Sequence, residues 1–158
     1  MIEPSLNLPL DIAAALEPLF AVLPFSMALA SLKLPTPVYE ETVIRVIADP
    51  AIVGNPPLIA GMWLYAGDIW KSHTVSQSIG DFTGSWWHGI MHRLEGDYYN
   101  SRYWMQKAAG HPLQIIRPDL EPIAFVDAVE KSNDANSLQL IDRQREEWKT
   151  LFEWCAIQ

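Results

Sequence analysis

Apolar residues recur at helical spacing along most of the chain, and proline, glycine and aspartate interrupt them at short intervals. Asp11 stands where a first helix would be capped, and Pro18 is expected to kink or end it. Pro24 is expected to open a second helix over 24–34, and Thr36-Pro37 another over 36–48 with an apolar stripe of Val38, Thr42, Ile44 and Ile47. The clusters Asp49-Pro50 and Gly54-Asn55-Pro56-Pro57 read as loop. Helices follow over 57–66 and 68–79, then over 85–95 and 97–109, with breaks at Gly80–Gly84, Gly96 and Gly110. Asp119 is placed to cap a helix over 120–131, and 132–136 is a polar loop. The last helix, 137–156, puts Ile141, Trp148, Leu151, Phe152 and Cys155 on one face. Alternating β-branched runs are scarce. The pattern therefore predicts one all-α domain over 1–158, made of about seven or eight helices in stacked αα-hairpins.

An internal repeat sharpens this picture. The run Ala60-Gly61-Met62-Trp63-Leu64-Tyr65-Ala66-Gly67-Asp68 aligns, after one gap, with His88-Gly89-Ile90-Met91-His92-Arg93-Leu94-Glu95-Gly96-Asp97. Beyond each Gly-Asp turn, Ser72 matches Ser101 and Gln77 matches Gln106. Each unit is helix, tight turn, helix, so residues 57–112 form a central core of two hairpins.

The second unit, Trp87…Gly89…Gly96-Asp97-Tyr98…Ser101…Ala108…Pro112, resembles a tetratricopeptide repeat, with His92 where that family usually has an aromatic. The resemblance implies stacked helical hairpins and a peptide-binding role. A second likeness rests on Ser72-His73…Gln77, Trp87-His88-Gly89-Ile90-Met91-His92-Arg93…Glu95-Gly96-Asp97…Asn100, Tyr103-Trp104 and His111-Pro112, with Glu147-Trp148…Leu151-Phe152…Cys155. These residues resemble the signature of an uncharacterised family of bacteria and fungi. That resemblance carries no activity; it marks the residues as one unit.

Composition narrows the partners. The chain has 158 residues, 49% hydrophobic and 19% charged, with a net charge of −8 and only 11 Lys and Arg. So few basic residues argue against a nucleic-acid partner, whose phosphates require clustered positive charge. The apolar stretch 8–34 contains Asp11, Glu17, Pro18 and Pro24, and Glu3 stands where a secretory signal would be basic. Neither a signal peptide nor a membrane span is expected. The single cysteine, Cys155, fits a reducing, cytoplasmic setting and a buried structural thiol.

The four histidines are the candidate chemistry, because all lie between Ser72 and Pro112. His88, His92 and Glu95 fall at i, i+4 and i+7, on one helix face. The His-Glu-x-x-His pattern of metalloproteases is absent, with Gly89 in the place of its glutamate. Antiparallel packing about Gly80–Gly84 puts His73 level with His92 and Gln77 level with His88. The next turn adds Asn100 opposite His92 and Trp104 opposite His88, inside a wall of Trp70, Trp86, Trp87, Tyr103 and Trp104.

Three readings stay open. A divalent transition metal would sit on His73, His88 and His92, with Glu95 as ligand or base. A small molecule would use His92, Glu95 and His88 as acid–base groups, and Gln77, Trp87, Arg93, Asn100, Tyr103 and Trp104 to bind substrate. Alternatively, histidine, glutamine, asparagine and arginine side chains lock the hairpins together by hydrogen bonds. The leading expectation is a small-molecule site, metal-dependent in its sharper form. The rival is an interaction module that binds a protein partner or a second copy of the chain. His111 is expected to cap backbone rather than to ligate, and Asp97 to cap the helix after Gly96.

Overall fold

The computed structural model describes residues 6–158, and these form nine α-helices and no strand. Glu3 lies outside the described residues. The helices are α1 (Leu10–Val22), α2 (Glu40–Ile47), α3 (Pro56–Tyr65), α4 (Ile69–Ser76), α5 (Phe82–Glu95), α6 (Tyr98–Lys107), α7 (Leu113–Ile116), α8 (Pro122–Lys131) and α9 (Leu138–Ala156). None of these helices is long and apolar enough to cross a membrane.

The central core is two hairpins built with the same devices. Asp68 accepts a hydrogen bond from the Lys71 amide at 3.1 Å, and Asp97 accepts one from the Asn100 amide at 3.2 Å, capping α4 and α6. Before them stand Gly67 and Gly96 at φ 83° and 86°, left-handed values that favour glycine. The buried Ser72 hydroxyl donates to the Ala60 carbonyl at 2.9 Å, and the buried Ser101 hydroxyl to the Gly89 carbonyl at 2.7 Å. Each serine thus ties the second helix of its hairpin to the first.

Helix α9 closes the core along the expected face, with Ile141, Trp148, Leu151, Phe152 and Cys155 all buried. Trp148 stacks on Phe152, lies beside Tyr65 and donates its indole N–H to the Gly61 carbonyl at 2.8 Å. Gln144 and Glu147 interrupt that face and are also buried. They meet Arg93 of α5, which is 0% exposed. Its guanidinium contacts Glu147 at 2.8 Å and Gln144 at 3.4 Å and lies 4.3 Å from the Phe125 ring centre.

Several local expectations fail, each where tertiary contacts override local signals. Helix α1 runs through Pro18. Pro18 and Ala14 both lie on the exposed side, so solvent can reach the Ala14 carbonyl that the proline leaves without a helical donor. Residues 24–34 form no helix but a turn and an irregular run, with Leu29 and Leu34 at φ 56° and 48°. Their carbonyls bond elsewhere: Gln144 donates to Leu29 and Ser31, and Arg145 to Ala28. Over 36–48 only α2 is helical, and it buries Val43 and Val46 while Ile44 is 51% exposed. Asp119 does not cap α8. It pairs with Arg117 at 2.9 Å, and a 3-10 turn (Pro118–Leu120) precedes the helix.

Candidate functional site

The α4–α5 connection brings three of the four histidines together. Asp81 caps α5 by accepting from the Gly84 amide at 3.0 Å, so α5 begins at Phe82, before the expected start at 85. The break is accordingly 77–81, and Gly84 belongs to the helix. This shift puts the His73 ring against both imidazoles of α5, at centroid distances of 4.7 Å from His88 and 5.4 Å from His92. His88 and His92, one turn apart, stack at 4.9 Å. One ligating nitrogen from each of the three rings lies within 4.8 Å of the others.

Each ring has a distinct environment. His88 is 4% exposed, and its Nδ1 is buried with no hydrogen-bond partner. Burial first, then the neighbouring His92 and His73, lower its pKa to about 4, so it is neutral at physiological pH. Burial, and next His92, also push His73 below the ordinary imidazole value, against an opposing pull from Glu95. The His92 side chain is 11% exposed, and its Nδ1 lies 2.7 Å from the Glu95 carboxylate. A carboxylate there accepts the Nδ1 proton, which leaves Nε2 of a neutral ring with its lone pair free.

The surroundings divide the other expected site residues. Trp104 stacks on His88 at 3.9 Å with the planes 12° apart. Tyr103 meets Trp104 edge-on at 5.3 Å, and the Lys107 ammonium lies 5.0 Å from the Trp104 ring centre. Asn100 does not meet His92; its amide donates to Asp97 at 2.8 Å. Gln77, expected level with His88, follows the last turn of α4 and is exposed. Trp87, expected to bind substrate, is 0% exposed in the core. Arg93, given the same role, is held by Glu147 and Gln144. Helical spacing explains both corrections: a helix buried on two sides sends residues flanking His88 and His92 into the opposite interface. Asp97 joins His92 and Glu95 in an overlapping group of possible ligands, though its carboxylate already accepts from the Asn100 amide and side chain.

The fourth histidine stands apart. His111 is 1% exposed between Trp86 and Trp154, at 5.2 and 5.1 Å. Its Nδ1 accepts from the Leu113 amide at 3.1 Å, so the neutral ring carries its proton on Nε2 and donates to the Thr83 hydroxyl at 3.0 Å. Both nitrogens are satisfied, which makes His111 a backbone cap.

Two cavities of about 380 Å³ lie elsewhere, one walled by Leu23, Leu29, Tyr39, Leu64 and Tyr65, the other by Ala15, Val22, Thr42 and Arg45; no histidine lines either. No family model matches the chain, and no curated protein or solved structure matches it either.

Proposed function

We propose that this protein binds a divalent transition metal between α4 and α5, on His73, His88 and His92. The observation that carries the reading is the convergence of three imidazoles, one nitrogen of each within 4.8 Å of the others. Small ring rotations close that span to the separation of about 3.3 Å expected between nitrogens of a tetrahedral site with metal–nitrogen distances near 2.0–2.1 Å. Three nitrogen donors with no thiolate suit Zn²⁺, Cu²⁺ or Ni²⁺. Glu95 serves as the outer carboxylate that fixes the His92 tautomer, the arrangement usual for metal-bound imidazole.

Hydrogen bonding favours this reading over a purely structural lock. A lock needs ring-to-amide or ring-to-guanidinium bonds, yet Gln77, Asn100 and Arg93 all bond or face elsewhere. Among the described residues, the one hydrogen bond made by the three rings is His92 to Glu95. Three protein ligands also leave a coordination position for water or a small molecule. That open position is the route to the small-molecule chemistry expected of the site.

Elemental analysis after dialysis against Zn²⁺ tests the proposal. The expected result is one equivalent of metal per chain, lost in a His88→Ala, His92→Ala double variant and kept in His111→Asn. Substoichiometric metal in the wild type, or full retention in the double variant, overturns it.

A further inference from the structure

Trp104 has a geometry that the proposed metal ligation makes consequential. It lies on α6, whereas the three imidazoles lie on α4 and α5. Its ring covers His88 at 3.9 Å, nearly parallel, and His92 follows His88 at 4.9 Å, so the three rings form a column. His88 has a buried Nδ1 with no hydrogen bond to set the orientation of its ring. The Glu95 carboxylate orients His92 in a way that nothing orients His88.

The indole is itself held. Tyr103 meets it edge-on, and Lys107 places an ammonium 5.0 Å from its centre and 5.1 Å from that of Tyr103. Cation–π and edge-to-face contacts of this kind fix a ring that is not fully buried.

Resting on the metal reading above, we infer that Trp104 is a positioning residue for the metal site, fixing the plane of His88 by stacking. Its role is thus distinct from substrate contact. A ligand held in its binding rotamer loses less freedom when the metal arrives, and one ordered side chain is worth about three- to tenfold in affinity. The effect requires a flat ring over His88, so phenylalanine should replace tryptophan and an aliphatic side chain should not.

The test measures the Zn²⁺ dissociation constant by competition with a chromophoric chelator, for wild type, Trp104→Phe and Trp104→Leu. The expected result is a three- to tenfold weaker constant in Trp104→Leu and a value within about twofold of wild type in Trp104→Phe. A metal-bound wild type with an unchanged constant in Trp104→Leu overturns the inference and leaves the metal reading standing. Equal losses in both variants overturn it too, because stacking would then not be the indole's contribution. A wild type that takes up no Zn²⁺ removes both readings together. Cu²⁺ quenching of indole fluorescence supplies a readout that does not need Trp104→Leu to fold. Wild type should be quenched by a larger fraction than Trp104→Phe, and equal fractions count against the contact.

Discussion

The two central hairpins share a scaffold and differ in chemistry. Both have a glycine with left-handed φ, an aspartate cap and a buried serine bonded to a carbonyl of the preceding helix. Where the second unit carries His88, His92 and Glu95, the first carries Ala60, Leu64 and Ala66, all buried in the apolar core. The first unit contributes its one histidine, His73, from the helix that faces the second unit. The polar cluster therefore belongs to neither hairpin alone but to the junction between them. Duplicated devices build the fold, and the unduplicated residues at the seam build the histidine cluster.

If the devices are equivalent, matching substitutions should separate only where the surroundings differ. The largest separation is expected at the turn glycines. A Cβ at Gly67 would stand 2.6 Å from the Thr36 carbonyl oxygen, which is backbone, in addition to its strain at φ 83°. A Cβ at Gly96 would meet the Lys33 side chain at 2.6 Å, and a lysine can move. Gly67→Ala should lower stability by about 3–4 kcal/mol and Gly96→Ala by about 1–2 kcal/mol, read from urea unfolding midpoints. Equal losses would mean that Lys33 is held as firmly as backbone.

Within the helices the contrast is smaller. A Cβ at Gly61 would press on Phe152 at 2.8 Å and Trp87 at 2.9 Å, rings fixed in the core, whereas one at Gly89 would press on the flexible Met105 at 2.7 Å. Replacing a mid-helix glycine by alanine itself gains about 1 kcal/mol. Gly89→Ala should be near neutral, and Gly61→Ala should lose about 1–2 kcal/mol net. A thermal melt in which Gly89→Ala is the worse variant breaks this part of the comparison.

This shared scaffold was legible in the sequence because its devices are local. Gly-Asp turns, the serines and the repeat spacing depend on residues near one another in the chain, and so does the apolar face of α9. The missed segment, 24–34, takes its shape from Gln144 and Arg145, more than a hundred residues away, which bind its carbonyls. The site was legible in part for the same reason. His88, His92 and Glu95 share a helix face by spacing alone, and hairpin logic brought in His73 and Trp104. Gln77 and Arg93 were misplaced because the Asp81 cap shifts the register and because α5 is buried on two sides. The Arg93 network had a readable signal, since Gln144 and Glu147 interrupt the otherwise apolar face of α9.

Acid should weigh on the second unit more than on the first. Burial lowers the His111 pKa from its ordinary value of 6.5, with Asp81 opposing, and protonation would remove the acceptor that Leu113 uses. The unfolded chain therefore takes up a proton near pH 6.5 that the folded chain refuses, and stability falls as pH drops below that value. His88, lowered to about 4, acts in the same direction. The urea midpoint should decrease between about pH 7.5 and pH 5, and His111→Asn, which keeps an acceptor but cannot titrate, should flatten the slope. A slope unchanged in that variant assigns the acid sensitivity to the histidines at the seam.

The smallest expected effect is the most direct measure of equivalence. The Ser72 and Ser101 hydroxyls are both fully buried, and each donates to a carbonyl twelve residues earlier, at 2.9 and 2.7 Å. Each lost bond should lower stability by about 1 kcal/mol, and the alanine replacements should agree within about 0.5 kcal/mol. The serines belong to different helix pairs, so the double variant should show the sum of the single losses. A Ser101→Ala loss well above that of Ser72→Ala would show that the second hairpin draws more of its stability from this tie. The reason would lie in its composition: the helix that Ser101 anchors stacks Trp104 on His88, where the first hairpin carries Ala60, buried in the apolar core, at the position of that histidine.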